Sequence, residues 1–570
     1  MKRHRVVSEC VVGNRQGAGK SIVVRKRVVV SKRIVGMGLA IGLASMAFVP
    51  RGQAAGQSCE QLAQLNLPNT KITSAETIAA GAFTPPKSIT PWLIGDPNFY
   101  KQVPAFCRVT AVATPTADSD IKIEVWMPAS GWNGKFRGQG NGGFAGEINY
   151  VLLGRAILAG YATAATDTGH AASGTDARWA LGHPEKIVDF AYRAIHEMTE
   201  VGKATTKAFY GDAPQRAYFS NCSNGGRQAL VEAQRFPDDY DGIVAGAPAN
   251  YWTHLLGGAL YNAQMTTRDA AAYIPMSKIP AIAKAVNAAC DAEDGVTDGV
   301  LNNPRKCHFK PATLLCKEGD SDSCLTHPQV TTLEKLYDGS RDSKGHLIFP
   351  GYFPGAEDGP GGWGVWITGQ EPGKSLIFAF SVGFFSNMLY GKADWDYKTA
   401  NIDEAVADAD KKFSSVFNAT NTNLKPFESH GGKMIIYHGW DDAAISAQNS
   451  INYYESVRKT MGAAQTDSFL RLYMVPGMQH CGGGPGTDTF GQDGVTPVMD
   501  AQHNMDLALE QWVEKGTAPG SIIASKPASP APGAAVTETR PLCAYPQEAK
   551  YKGIGDTNDA ANFVCAAPGK

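Results

Sequence analysis

Apolar and polar positions alternate with a period of two over residues 121–127, as in a strand with one face in a core. Short apolar runs recur at 160–166, 217–219, 240–246, 433–437 and 469–474, and each is predicted as a strand. Between them the apolar spacing widens to three and four. Residues 187–209 are predicted as a helix ended by Gly211, a second helix runs from 227 to 236, and a closing helix spans 499–515 before Gly516. Strands that alternate with helices in this way predict a doubly wound α/β sheet.

The rhythm breaks between about 250 and 425, where Gly, Pro, Trp and the cysteines Cys290, Cys307, Cys316 and Cys324 collect, and it resumes at Lys433. An insertion of that length between core strands predicts a lid domain over 251–425, forming one wall of a substrate pocket, with the core built from 55–250 and 426–570. The Pro-rich stretch 527–532 is predicted as an extended loop, with Cys543 and Cys565 pinning the residues beyond it.

Charge changes the picture at the start of the chain. The first 54 residues hold Arg25-Lys26-Arg27 and Lys32-Arg33 ahead of the apolar stretch 34–49, with small residues at Gly52 and Ala54. This is the pattern of a signal peptide cleaved after about Ala54; a retained anchor is the alternative, although the run is shorter than the ~20 residues a spanning helix needs. Of 53 Lys+Arg and 54 Asp+Glu, 11 and 1 fall in residues 1–54, which leaves 42 basic and 53 acidic residues and a balance near −11. An acidic mature chain argues against a nucleic-acid partner. Of 11 cysteines, Cys10 lies in the leader and 10 remain, an even number that predicts disulfides in an exported chain, secreted or periplasmic. No stable membrane association is expected once the leader is removed.

Three stretches carry candidate chemistry. Asn221-Cys222-Ser223-Asn224-Gly225-Gly226 joins a predicted strand to a predicted helix, as a nucleophile elbow does, with Asn221 where the usual pattern has glycine. Ser223 is then the candidate nucleophile; a strand-to-helix turn with a capping serine reads the same way. His480 comes after the strand predicted at 469–474, late in the chain, where a general base is expected. A cysteine adjoins each: Cys222 before Ser223 and Cys481 after His480. Asp441 and Asp442 come after the strand at 433–437, and both fit the third member of a triad. Phe136 to Gly146 form a glycine-rich loop able to turn backbone N–H groups toward an oxyanion, or a plain surface turn. Finally, the stretch from Asp291 to Val300 crowds carboxylates as a Ca²⁺ loop would, without EF-hand spacing; a solvated acidic turn is the alternative.

On the motifs Cys222-Ser223-Asn224-Gly225-Gly226, Tyr437-His438-Gly439-Trp440-Asp441-Asp442 and Pro476-Gly477-Met478-Gln479-His480-Cys481, the chain resembles the tannase and feruloyl esterase family, which includes the enzyme hydrolysing mono(2-hydroxyethyl) terephthalate. The resemblance covers nearly all of the chain after the leader. It implies an α/β-hydrolase core with a large inserted lid domain, and a serine carboxylesterase acting on small-molecule esters of aromatic acids of feruloyl or galloyl type. It favours Asp442 by its spacing from His438, and implies Gly143 and Asn224 as oxyanion donors. Asp291, Asp294 and Asp298 are implied as Ca²⁺ ligands, with the carbonyls of Val296 and Val300. It implies the pairs Cys59 with Cys107, Cys222 with Cys481, Cys290 with Cys307, Cys316 with Cys324, and Cys543 with Cys565. Pairing of Cys222 would remove its thiolate as a rival nucleophile. The lid aromatics Trp363, Trp366, Phe378, Phe380, Phe384 and Phe385 are candidates to stack on an aromatic acyl group, or else lid core. A terephthalate monoester, the alternative substrate, asks for an Arg, and only Arg268, Arg305 and Arg341 of the insertion are candidates. A calcium-stabilised binding protein with an idle triad is the non-enzymatic alternative.

Overall fold

The apolar runs form the middle of one sheet. The computed structural model describes residues 56–568 except 91–92, 356, 493, 495 and 530–532, so the predicted signal peptide lies outside the described residues. The sheet strands are β1 (Thr70–Ile78), β2 (Phe106–Ala113), β3 (Ile121–Pro128), β4 (Lys135–Gln139), β5 (Ala162–Thr166), β6 (Arg216–Cys222) and β7 (Gly242–Gly246). An insertion then carries its own small ribbon, β8 (Ser340–Arg341) with β9 (Leu347–Phe349), before β10 (Lys433–Gly439) and β11 (Leu470–Val475) complete the sheet. Among the described residues its order is β1-β2-β3-β5-β4-β6-β7-β10-β11. The six strands from β5 to β11 are parallel, and β1, β2 and β3 add an antiparallel edge.

Burial on both faces explains why the central strands read as continuous apolar runs. Every residue of β5 and β7 is buried. Period two still sorts the side chains: Ile243, Ala245, Met434 and Ile436 join one core with Leu230 and Met198, while Val244, Ile435 and Tyr437 join the opposite one with Leu509 and Trp512. Helices Ala194–Tyr210 and Asn224–Arg235 supply the first layer and Met505–Lys515 the second. The reversal of β4 and β5 in the order, the antiparallel edge and the layers on both faces make this an α/β-hydrolase fold.

Three local expectations change. Phe136 to Gln139, read with the glycine-rich stretch, belong to β4, because β5 and β6 pair with that segment from both sides. The closing helix begins at Met505 rather than 499, where the Asn504 side chain caps it by accepting from Leu507 N. The Pro-rich tail is bounded by an antiparallel pair, Ser521–Pro527 against Val536–Cys543. The insertion, although irregular in sequence, is largely helical, with helices Trp252–Arg268, Ile279–Cys290, His327–Asp338 and Ile402–Phe417. It packs on the core, and the described residues form one compact unit.

Candidate active site

Parallel strands β6, β10 and β11 all end at one edge of the sheet, and the segments leaving them carry Ser223, Asp442 and His480. In open α/β sheets that carboxyl edge is where reactive groups gather. Ser223 sits between β6 and the helix Asn224–Arg235 at φ 66° and ψ −124°, a conformation a non-glycine residue adopts only at a cost of about 1–3 kcal/mol. Its amide donates to Gly246 O at 2.9 Å, and its carbonyl accepts from Arg227 N and Ala249 N. A Cβ on Gly226 would lie 2.2 Å from Gly246 O, so only glycine permits that approach. Asn221 has its own reason: its Oδ1 accepts from Cys222 N at 2.9 Å, in space left free because Gly225 has no Cβ.

His480 lies on the loop after β11. That loop is laced to the segment after β10 by Trp440 N to Val475 O at 2.9 Å and Asp441 N to Met478 O at 3.0 Å. His480 accepts at Nε2 from the Ser223 hydroxyl at 2.9 Å and donates from Nδ1 to Asp442 Oδ2 at 2.8 Å. The partners thus assign the Nδ1–H tautomer. The Cys222–Cys481 disulfide joins the residue before Ser223 to the residue after His480, closing a loop of 259 residues. All five cysteine pairs implied by the resemblance are disulfides of the structure.

Asp442, rather than Asp441, receives the imidazole. It is wholly buried, and Oδ1 accepts from Ala444 N and Ile445 N at 2.8 and 2.9 Å. Burial alone pushes its carboxyl up, but the charge and hydrogen bond of His480 and the bond from His438 outweigh that and hold it well below the usual carboxylate range. His438, also wholly buried, donates from Nε2 to Asp442 Oδ2 at 3.1 Å and to Ile445 O at 3.0 Å, while the Ser450 hydroxyl donates to Nδ1 at 2.7 Å. It stands behind the acid rather than along a pocket wall.

The loop bearing Gly143 docks on the elbow helix. Asn141 N donates to Gln228 Oε1 at 2.9 Å, and Asn224 Nδ2 reaches Asn141 O at 3.4 Å. Gly143 has φ 54°, and a Cβ there would lie 2.4 Å from Gly174 O. Sequence reasoning passed over Arg227, whose charge reads as a solvated helix position. It is fully buried, donates from Nε to Asn224 Oδ1 at 2.8 Å and from Nη1 to Ala191 O at 2.7 Å, and lies 5.0–5.6 Å from the rings of Trp252, Phe190 and Phe417. Burial pulls its guanidinium down to about 9.

Of the six candidate aromatics of the insertion, two reach the site. Trp366 meets the His480 ring edge-to-face at 4.9 Å and stacks on Phe380, which packs on Phe144 beside Gly143. Trp363, Phe384 and Phe385 are wholly buried, and Phe378 packs on Tyr397. The three arginines are engaged elsewhere: Arg268 with the carbonyls of Lys398 and Ala400, Arg305 with Trp440 and Tyr545, and Arg341 with Gly345 O.

In the acidic loop, Asp291 accepts from Asp298 N and Gly299 N, Asp294 from Val296 N and Asn302 N, and Asp298 from Val300 N and the Arg540 guanidinium. Burial first, and then their neighbouring carboxylates, push Asp294 and Asp298 up, although Arg540 opposes this at Asp298. All-oxygen donors that repel one another fit Ca²⁺. Among the described residues, the trios of His, Cys, Asp or Glu whose ligand atoms gather within 4.8 Å lie elsewhere.

A sequence profile described as Tannase and feruloyl esterase matches residues 107–566. An uncharacterised esterase of Xanthomonas campestris pv. campestris is 43% identical over 538 residues, covering 90% of this chain and 92% of the relative. A probable feruloyl esterase B of Aspergillus clavatus is 34% identical over 466 residues, covering 80% and 86%. The crystal structure of feruloyl esterase B from Aspergillus oryzae superposes with a TM-score of 0.81 at 30% identity, covering 89% of this chain and 99% of that one.

Proposed function

The chain belongs to the tannase and feruloyl esterase family, and from that premise we propose that it cleaves feruloyl- or galloyl-type esters through Ser223, His480 and Asp442. It is a carboxylic ester hydrolase. The observation that carries the finer reading is the unbroken hydrogen-bonded run from Ser223 Oγ through His480 to Asp442. In this reading the Ser223 oxygen attacks the ester carbonyl as its proton passes to His480 Nε2, and Asp442 stabilises the resulting imidazolium. The amides of Gly143 and Asn224 receive the oxyanion. His480 returns the proton to the departing alkoxide, leaving an acyl-serine, and a water activated by the same histidine releases the acid.

The aromatic surfaces of Trp366 and Phe380 beside His480 and the Gly143 loop support an aromatic acyl group. The engagements of Arg268, Arg305 and Arg341 count against a terephthalate monoester, which stays the second substrate. Asp291, Asp294 and Asp298, with the carbonyls of Val296 and Val300, would hold a structural Ca²⁺; the all-oxygen donor set supports this. Export is supported by five disulfides and the basic-then-apolar leader. No described helix is long and apolar enough to cross a membrane.

Hydrolysis of methyl gallate, methyl ferulate, mono(2-hydroxyethyl) terephthalate and p-nitrophenyl acetate by wild type and Ser223→Ala tests the reading. Turnover of a gallate or ferulate ester that falls by about 10⁴ or more in the variant is expected. Turnover untouched by the substitution would remove Ser223 from the mechanism, preference for the terephthalate would promote the second substrate, and inertness toward every ester would favour a binding protein.

A further inference from the structure

Away from the candidate active site, His196, Glu232 and Asp239 bring one ligand atom each within 4.8 Å of one another. Three segments supply them: the helix Ala194–Tyr210, the final turn of the helix Asn224–Arg235, and the turn entering β7. His196 Nδ1 lies 2.7 Å from Asp239 Oδ2, and its ring is held flat on Phe236 with centroids 3.9 Å apart. Glu232 is wholly buried, yet neither of its carboxylate oxygens has a hydrogen-bond partner. Lys203 is the ammonium beside them. It donates to the Asp239 carbonyl and stands 3.9 Å from Asp239 Oδ1, so it serves Asp239 from one side. Glu197 and Glu200, on the same helix as His196, add negative potential at the imidazole.

A buried carboxylate with no donor is costly unless a cation or a proton neutralises it. We propose that His196, Glu232 and Asp239 form a binding site for a transition-metal dication of the Zn²⁺ class, distinct from the acidic loop at 291–300. One imidazole nitrogen with two carboxylates is a donor set for zinc or manganese, whereas calcium takes oxygen alone. The His196 side chain is 32% exposed, which leaves an entry from solvent and an outward Nε2–H once Nδ1 is a ligand. Glu232 lies in the last turn of its helix, where the backbone dipole favours positive charge. Nine residues after Ser223, it is about 13 Å along the helix axis from the nucleophile, so the ion pins the elbow helix to its neighbours and takes no part in the chemistry. A proton shared between Glu232 and Asp239 is the competing way to neutralise the pair.

The full chain, stripped of metal and then dialysed against ZnCl₂ in excess Ca²⁺, decides between them by bound zinc per chain and by melting temperature. Wild type is expected to retain one zinc more than Glu232→Gln or His196→Ala, and to melt higher with zinc than without. Asp298→Asn, in the acidic loop, is expected to keep both properties. His196 is only half-buried, so its variant serves if Glu232→Gln folds poorly. Equal zinc in wild type and in both variants, or no zinc in any of them, would overturn the site and leave the shared proton.

Discussion

Four hydrogen bonds converge on Asp442, from His480, His438 and two amides, and they keep it ionised although it is buried. In the proposed mechanism the bond from His438 is also the one that fixes Oδ2 while His480 gains and loses its proton. Removing the imidazole by His438→Ala leaves the Ser450 hydroxyl and the Ile445 carbonyl without that partner in a dry site. The expected result is a fall in kcat on the order of 10- to 100-fold with KM nearly unchanged, well short of the ~10⁴ expected when the acid's own function is lost. Steady-state kinetics check it, and an unaltered kcat would reduce His438 to packing. Ser223 and His480 were legible in the sequence because strand, glycine and cysteine neighbours mark them. His438 and Arg227 were less so, since neither side chain touches Ser223, and their partners, Ser450 and the carbonyls at 190, 191 and 417, are set by packing distant in sequence.

At the scale of elements, apolar runs predicted most of the central strands because those strands are buried on both faces, whereas β4 hid in a glycine-rich stretch that is strand only because its neighbours pair with it. The acidic loop is the element whose placement says most. Asp298 pairs with Arg540 of the tail, Asn302 donates to Ala549 O at 2.8 Å, and the Val300 methyl lies 3.0 Å from where a Cβ on Gly477 would be. It therefore bridges the insertion, the tail and the loop that carries His480. If it holds calcium, chelation by EGTA is expected to lower the melting temperature by roughly 3–5 °C, since a tightly bound ion stabilises by a few kcal/mol. Added Ca²⁺ should restore it, and Asp294→Asn should be indifferent to both. Superimposable calorimetric scans with and without EGTA would make the segment an acidic turn with no metal.

Across the whole molecule, the insertion and the core meet at two buried carboxyls. Glu357 is completely buried; the Tyr337 hydroxyl and Gly355 N donate to it, while Asp441 of the core has an Oδ1 without a partner. Burial pushes Glu357 up to about 7, with Asp358 acting in the same sense, and burial together with Glu357 pushes Asp441 well above the carboxylate range. A carboxyl whose pKa is raised on folding holds its proton more tightly in the native state. Its contribution to stability is present in full below the unfolded value near 4.5 and is lost as pH rises toward 7, because over that window only the unfolded chain releases the proton. For Glu357 the loss amounts to about 3 kcal/mol at most. Glu357→Gln keeps a neutral side chain at every pH, so urea unfolding between pH 4.5 and 7.5 is expected to show stability of wild type falling relative to the variant. Two curves that stay parallel through that range would mean that Glu357 titrates as it does in the unfolded chain. In that case the seam between insertion and core would rest on contacts indifferent to pH, such as Gln479 to Gly361 N and Asp358 O.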